Sequence, residues 1–205
     1  MQKRFTIFSL LIITIFMIFI TGCTNDKDKI AYISSNTNSE YEKTFKDLQL
    51  GIIYDFNLKL PYADKSWVNI WVEGYRDGKP MEPSILTELS YGFSPQQVEE
   101  GRMGFGIINS NNDIQLFLYS AGIHSLPQSV DNNLFSQSAI SSWDYAIGSK
   151  EIGLKSGEEK IIAVYRRAEN SIRTYDYQDI DSLNKMIEED TTVLLLKIKV
   201  EERNE

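Results

Sequence analysis

The chain has 205 residues with 21 basic and 29 acidic side chains, a formal net charge of −8, and so acidic a surface repels nucleic acid, which is set aside as a partner. One cysteine and one histidine exclude a disulfide framework and a multi-histidine metal centre. The length suits a single domain with a sizeable core.

At the amino terminus, Lys3 and Arg4 precede an apolar run from Phe5 to Ile20, broken only by Ser9 and Thr14, that closes on Thr21-Gly22-Cys23. A positive start, an apolar centre and small residues before a cleavage point are the parts of a secretory signal. Ile20-Thr21-Gly22-Cys23 resembles the lipobox of bacterial lipoprotein precursors, in which an aliphatic and two small residues precede the cysteine. The resemblance implies that Cys23 receives a diacylglyceryl group and that cleavage falls between Gly22 and Cys23. It also implies that membrane lipid is a partner through Cys23, with the remainder on the extracytoplasmic face of the cell membrane. An uncleaved transmembrane helix is the other reading, although residues 5–22 sit at the short limit for crossing ~30 Å of hydrocarbon. The Ile- and Asn-rich composition points to a low-GC Gram-positive source. The expected organisation is a signal over 1–22, a lipidated cysteine and flexible polar tether over 23–38, and one domain over 39–205.

Within the domain, Ser39-Glu40-Tyr41-Glu42 fits a capping box and predicts a short helix over 40–47. Leu50 to Leu60 alternates with period two, the pattern of a strand with one buried face, and Pro61 and Asp64 mark the turn after it. Trp67–Tyr75 reads as a second strand, with Val68, Ile70 and Val72 on one face and Trp67, Asn69, Trp71 and Tyr75 on the other. Asp77-Gly78 predicts a turn into a strand over 85–91, and Ser94-Pro95 a single helical turn stopping at Gly101. Strands follow over 103–108 and 114–119, then an irregular stretch over 121–138 and strands near 142–147, 151–154 and 160–167. A helix over 180–189, capped by Asp181 or Ser182, precedes a last strand over 193–200. Many short strands with turns between them predict an all-β fold, an antiparallel β-sandwich of immunoglobulin-like or related kind with one or two short helices. A closed β-barrel is the alternative.

The residues that carry chemistry are sparse. His124 stands alone in a loop without a nucleophile elbow, and Ser182-Leu183-Asn184-Lys185 has the Ser-x-x-Lys spacing but reads as a helix start. Gly101-Arg102-Met103-Gly104-Phe105-Gly106 is glycine-rich but leads into a strand, with no helix start to hold a phosphate. The acidic pairs Glu99-Glu100, Glu158-Glu159 and Glu188-Glu189 read as solvated surface. Asn109, Asn111 and Asp113 have the alternate spacing of calcium ligands but lack the loop glycine and distal glutamate, and Asp176, Asp179 and Asp181 form another oxygen-rich cluster. Trp67, Trp71 and Tyr75 are the candidate binding face: either a helix or loop covers that side of the strand, or the rings are exposed for a ligand.

These residues lead to the expectation of a membrane-anchored, non-catalytic binding module without cofactor, contacting a membrane-protein partner, an envelope polymer or a small ligand. A carboxylate-dependent envelope hydrolase, or an immunity or envelope-stress lipoprotein that sequesters a toxic peptide, are the alternatives.

Overall fold

The computed structural model describes residues 28–110, 113–130 and 140–203. In chain order the elements are β1 (Lys29–Ser35), α1 (Glu40–Asp47), β2 (Gly51–Leu60), β3 (Ser66–Arg76), β4 (Lys79–Gly92), β5 (Glu99–Ser110) and β6 (Asp113–Ser120). There follow β7 (Ile123–His124), β8 (Gln128–Val130), β9 (Ile140–Tyr145), β10 (Ile152–Lys155), β11 (Glu159–Ala168), α2 (Ile180–Glu189) and β12 (Thr192–Glu202). They form two antiparallel sheets. The first runs β10-β1-β2-β5-β6, with β7 and β8 both on β6, and the second runs β4-β3-β12-β11-β9. The sheets stack face to face as a sandwich and do not close into a barrel. The sandwich is of the related kind: an immunoglobulin order pairs the fourth strand with the fifth, whereas β4 here pairs with β3 in the opposite sheet.

Period-two alternation builds the core. Tyr54, Phe56, Leu58 and Leu60 of β2 and Met103, Phe105 and Ile107 of β5 face Val68, Ile70 and Val72 of β3 and Leu194, Leu196, Ile198 and Val200 of β12. A second, smaller cluster lies outside the second sheet. There Leu183, Met186 and Ile187 of α2 cover Val164, Val193 and Leu195. Burial on both sides explains the continuous apolar runs Ile161–Tyr165 of β11 and Val193–Leu196 of β12.

Several sequence expectations are corrected. The tether over 23–38 is shorter than expected, because Lys29–Ser35 is a strand between β10 and β2, with Ala31 and Ile33 fully buried. Its alternation spans too few residues to stand out from the polar flanks. The helical turn after Ser94 does not form. Ser94 Oγ accepts instead from Gln96 N (3.2 Å), and the segment bonds to the preceding turn through Ala63 N to Gln97 O (2.8 Å) and Ser94 N to Ala63 O (3.1 Å). The cap of α2 is Asp179, whose carboxylate accepts from Ser182 N (2.8 Å), rather than Asp181 or Ser182. Strand β4 starts six residues earlier than predicted, directly after Asp77 (φ 49°) and Gly78 (φ 77°). Two adjacent left-handed residues make the tight hairpin turn that this pair of types favours.

Candidate functional site

Trp67, Trp71 and Tyr75 share the outer face of β3, but their polar edges are spent on neighbours. Trp71 Nε1 and Tyr75 Oη donate to the two oxygens of Glu73 (2.9 and 3.0 Å), and Lys197 Nζ joins them at 2.9 Å. Burial raises the Glu73 carboxyl, yet these donors outweigh it and hold the group below its ordinary value. Burial, then the Glu73 charge, pushes Tyr75 up to about 12. Tyr75 packs against the α2 cluster. The Trp67 ring lies against Phe93 (centroids 5.4 Å) and beneath the Arg203 guanidinium at 5.1 Å. The three rings are half-buried in a polar-aromatic network.

The other sequence candidates are dispersed. Asp113 accepts from Gln115 Nε2 (2.7 Å) and Ser129 Oγ (3.3 Å), and Asn109 pairs with Ile114 within the β5–β6 ladder, while Asn111 lies outside the described residues. Asp179 caps α2 and Asp176 accepts from Gln178 N (2.9 Å), so both serve local turns. Among the described residues no group of His, Cys, Asp and Glu side chains converges as a metal site. His124 is exposed on β7, and Ser182 Oγ accepts from Asp176 N (2.8 Å). Among the described residues no helix is long and apolar enough to cross a membrane. The apolar run, Gly22 and Cys23 lie outside the described residues.

A different arrangement surrounds α1. Strand β1 ends at Ser35, which leaves the β2 edge at Asp55 without a strand partner. Asn36 N donates to Asp55 O (2.8 Å), and Asp55 N donates to Tyr145 Oη (3.0 Å). Tyr145 in turn donates to Glu42 Oε1, whose Oε2 accepts from Asn38 N (2.6 Å). Ser39 Oγ meanwhile accepts from Glu42 N (3.2 Å). The capping glutamate of α1 therefore also pins β9 to β2. Burial above all raises the Tyr145 hydroxyl well above the ordinary phenol range, with the Glu42 and Asp55 charges adding to it.

The Asp55 carboxylate is 0% exposed. It accepts from Tyr119 Oη and Asn36 Nδ2, each at 2.9 Å, with Arg102 Nε at 3.9 Å. Tyr119 reaches it only because its cross-strand partner is Gly104: a Cβ there would sit 1.9 Å from Tyr54 O and 2.8 Å from Tyr119 Cζ. Gly106 plays the same part for Phe117, whose Cε1 lies 2.0 Å from where a Cβ would be. The two rings lie across the glycines and form a platform on the first sheet's outer face. Helix α1 seats Phe45 against Phe117 (6.1 Å) and Tyr41 edge-on to Tyr119 (5.7 Å), with the Arg102 guanidinium 4.8 Å over Tyr41. The helix buries no residue completely.

A cleft of about 650 Å³ opens between α1 and β9, with Phe45, Ile53, Trp143 and Tyr145 as its apolar walls and Glu42 and Lys46 at its polar rim. Trp143 is 55% exposed. On the other flank of α1, a cleft of about 500 Å³ is lined by Tyr41, Phe45, Phe117, Tyr119 and His124. A third, of about 490 Å³, lies beside α2 and is acidic, with Asp77, Glu169, Glu188 and Glu189 around Arg173. Asp190 in its wall forms a buried ion pair with Arg166 (2.7 Å), and the Tyr175 ring lies 4.7 Å from that guanidinium carbon.

Asp55, Phe117, Tyr119, Trp143 and Tyr145 were not among the sequence candidates. Their signals were an acid between Tyr54 and Phe56 and the glycines at 104 and 106. Comparison with protein-family models, curated proteins and solved structures finds no match to this chain.

Proposed function

We propose that this chain is a lipid-anchored, extracytoplasmic binding module and that the cleft between α1 and β9 is its ligand seat. The anchor rests on Ile20-Thr21-Gly22-Cys23 behind its apolar run. The seat rests on one observation: a cleft of about 650 Å³ whose half-exposed indole, Trp143, stands across from a charged helix edge. That volume falls in the range of small-molecule and side-chain sites, which pair apolar walls with a few fixed polar groups. Preorganisation comes from the Asp55–Tyr145–Glu42 chain, which holds three elements of the wall in register. Trp143 supplies a surface for a ring, sugar face or apolar side chain, while Glu42 and Lys46 offer hydrogen bonds and charge at the rim.

The test is in-cell photo-cross-linking of the full chain with a benzophenone side chain at Trp143, set against the same group at the exposed Ile180. A discrete adduct at 143, absent at 180 and diminished by Phe45→Ala, supports the seat. Equal adducts at the two positions, or none at 143, remove it. Labelling cells with an alkynyl fatty acid tests the anchor separately, since the label is expected on the wild type and lost in Cys23→Ala.

A further inference from the structure

The chain's path out of the domain specifies which end of the sandwich meets the lipid. Only Thr24–Asp28 separate Cys23 from the first residue of β1, so even fully extended they reach about 20 Å. Tyr32 pairs with Lys59, and continuing that register back to Lys29 brings it level with the turn that follows Leu60. Lys29 also pairs with Lys155 and lies 4.0 Å from Glu158. The turn around 61–65, the loop over 93–98, the turn at 156–158 and Arg203 belong to the same pole. Ala63 bonds to both Ser94 and Gln97, Arg203 N donates to Lys65 O (2.9 Å), and Gly157 N to Val200 O (2.8 Å).

This pole carries apolar tips on two loops that are bonded to each other. Tyr62 is 48% exposed, Phe93 37% and Val98 51%. Each is next in sequence to a residue of the Ala63–Ser94–Gln97 junction, which gathers them on one end of the molecule. The Phe93 ring is backed by Trp67, so the tip is stiff rather than free to fold away. We infer that Tyr62, Phe93 and Val98 form a lipid-contacting face that rests on the bilayer surface beside the acylated cysteine. The inference depends on the anchor proposed above. Tyrosine favours the headgroup zone, where its ring meets acyl chains and its hydroxyl meets water, and phenylalanine and valine favour the apolar side of that zone. A domain held by so short a leash samples the surface at high effective concentration, so a weak contact is enough. Asp64, Glu99, Glu100, Glu158 and Glu202 share the pole with Lys29, Lys59, Lys65, Lys155 and Arg203, so its charges balance. The contact is therefore apolar rather than electrostatic, and anionic lipid does not strengthen it. Strand β1 runs away from this pole for its seven residues, about 20 Å, and α1 follows its far end. The α1 clefts thus stand away from the bilayer, towards wall or partner.

The experiment uses the full, acylated chain purified from membranes and reconstituted in vesicles of phosphatidylcholine, with and without phosphatidylglycerol. The sequence has one cysteine, so once it is acylated a nitroxide can be attached uniquely at Val98→Cys, at Tyr62→Cys or at the exposed α1 control Lys43→Cys. Collision with oxygen, which concentrates in lipid, is compared with collision with a water-soluble nickel chelate. The expected result is a several-fold higher oxygen-to-nickel ratio at 98 and 62 than at 43, the same in both vesicle types and at high salt. Equal ratios at all three positions in protein that carries the acyl mass overturn the lipid-contacting face while leaving the anchor standing. A higher ratio seen only with phosphatidylglycerol overturns its apolar basis. Protein without the acyl mass on Cys23 overturns the anchor and the contact with it.

Discussion

Removing the Tyr119 hydroxyl as Tyr119→Phe deletes the donor at the centre of the α1 network, whose main acceptor is Asp55 and whose weaker one is Tyr54 O (3.3 Å). The ring stays on Gly104, where no side chain competes for its place, so no cavity opens and packing is kept. What is lost is the donor to Asp55 Oδ1 at 2.9 Å, at a carboxylate that is 0% exposed. A hydrogen bond to a charged group contributes about 1.5–3 kcal/mol. Asn36 on the other oxygen keeps the group partly satisfied, which favours the middle of that range, about 2 kcal/mol. For a domain of this size the melting temperature then falls by about 4–8 °C. Urea unfolding followed by tryptophan fluorescence reads the loss, with Tyr62→Phe as the exposed control expected to stay within about 0.5 kcal/mol of wild type. In an Asp55→Asn background the effect of Tyr119→Phe should shrink to about half, because the acceptor is then uncharged. A loss below about 0.5 kcal/mol, or one no larger than that of Tyr62→Phe, refutes the assigned hydrogen-bond contribution.

Gly104→Ala should destabilise more than Gly106→Ala when both are measured by thermal unfolding. The first Cβ meets a backbone oxygen at 1.9 Å, whereas the second meets the movable end of the Phe117 ring, and overpacking that a side chain can relieve costs about 1–3 kcal/mol. Asp190→Ala strips the partner from the buried Arg166 and should cost about 3–5 kcal/mol in urea unfolding, while replacing both residues with well-fitting apolar ones should cost less. Stability should fall as pH rises past about 10, where the unfolded chain's tyrosines release protons. Burial raises Tyr54, Tyr119 and Tyr145 in the folded state, so their contribution is complete below that pH and is lost above it. Tyr119→Phe should reduce the alkaline slope of unfolding free energy against pH, which a pH series of urea melts measures directly.

The strand pattern was legible wherever one face is buried and the other wet. Val68, Ile70 and Val72 announced β3, and the alternation of Leu58 and Leu60 with Lys59 announced the end of β2, because side-chain period follows directly from the pleat. The Ser39 cap and the Asp77-Gly78 turn were equally local, and both formed, although Glu42 reaches back to Asn38 N and not to Ser39 N. Local chemistry was ambiguous where polar residues serve either of two short structures, as at Ser94, whose side chain closes a turn instead of starting a helix.

What only the tertiary structure decided is which distant residues meet. Trp67, Trp71 and Tyr75 looked available in the sequence, and Glu73, Lys197, Phe93 and Arg203 occupy their edges and leave them half-buried. Asp55, Tyr119, Tyr145 and Glu42 gave no common signal, since they come from β2, β6, β9 and α1 and converge only when both sheets and the helix are packed. The proposed export signal and its cysteine were read from residues adjacent in the chain. The cleft, the glycine-seated rings and the pole proposed to face the lipid required the register of strands far apart in sequence, because contact between remote side chains is set by packing and not by neighbours.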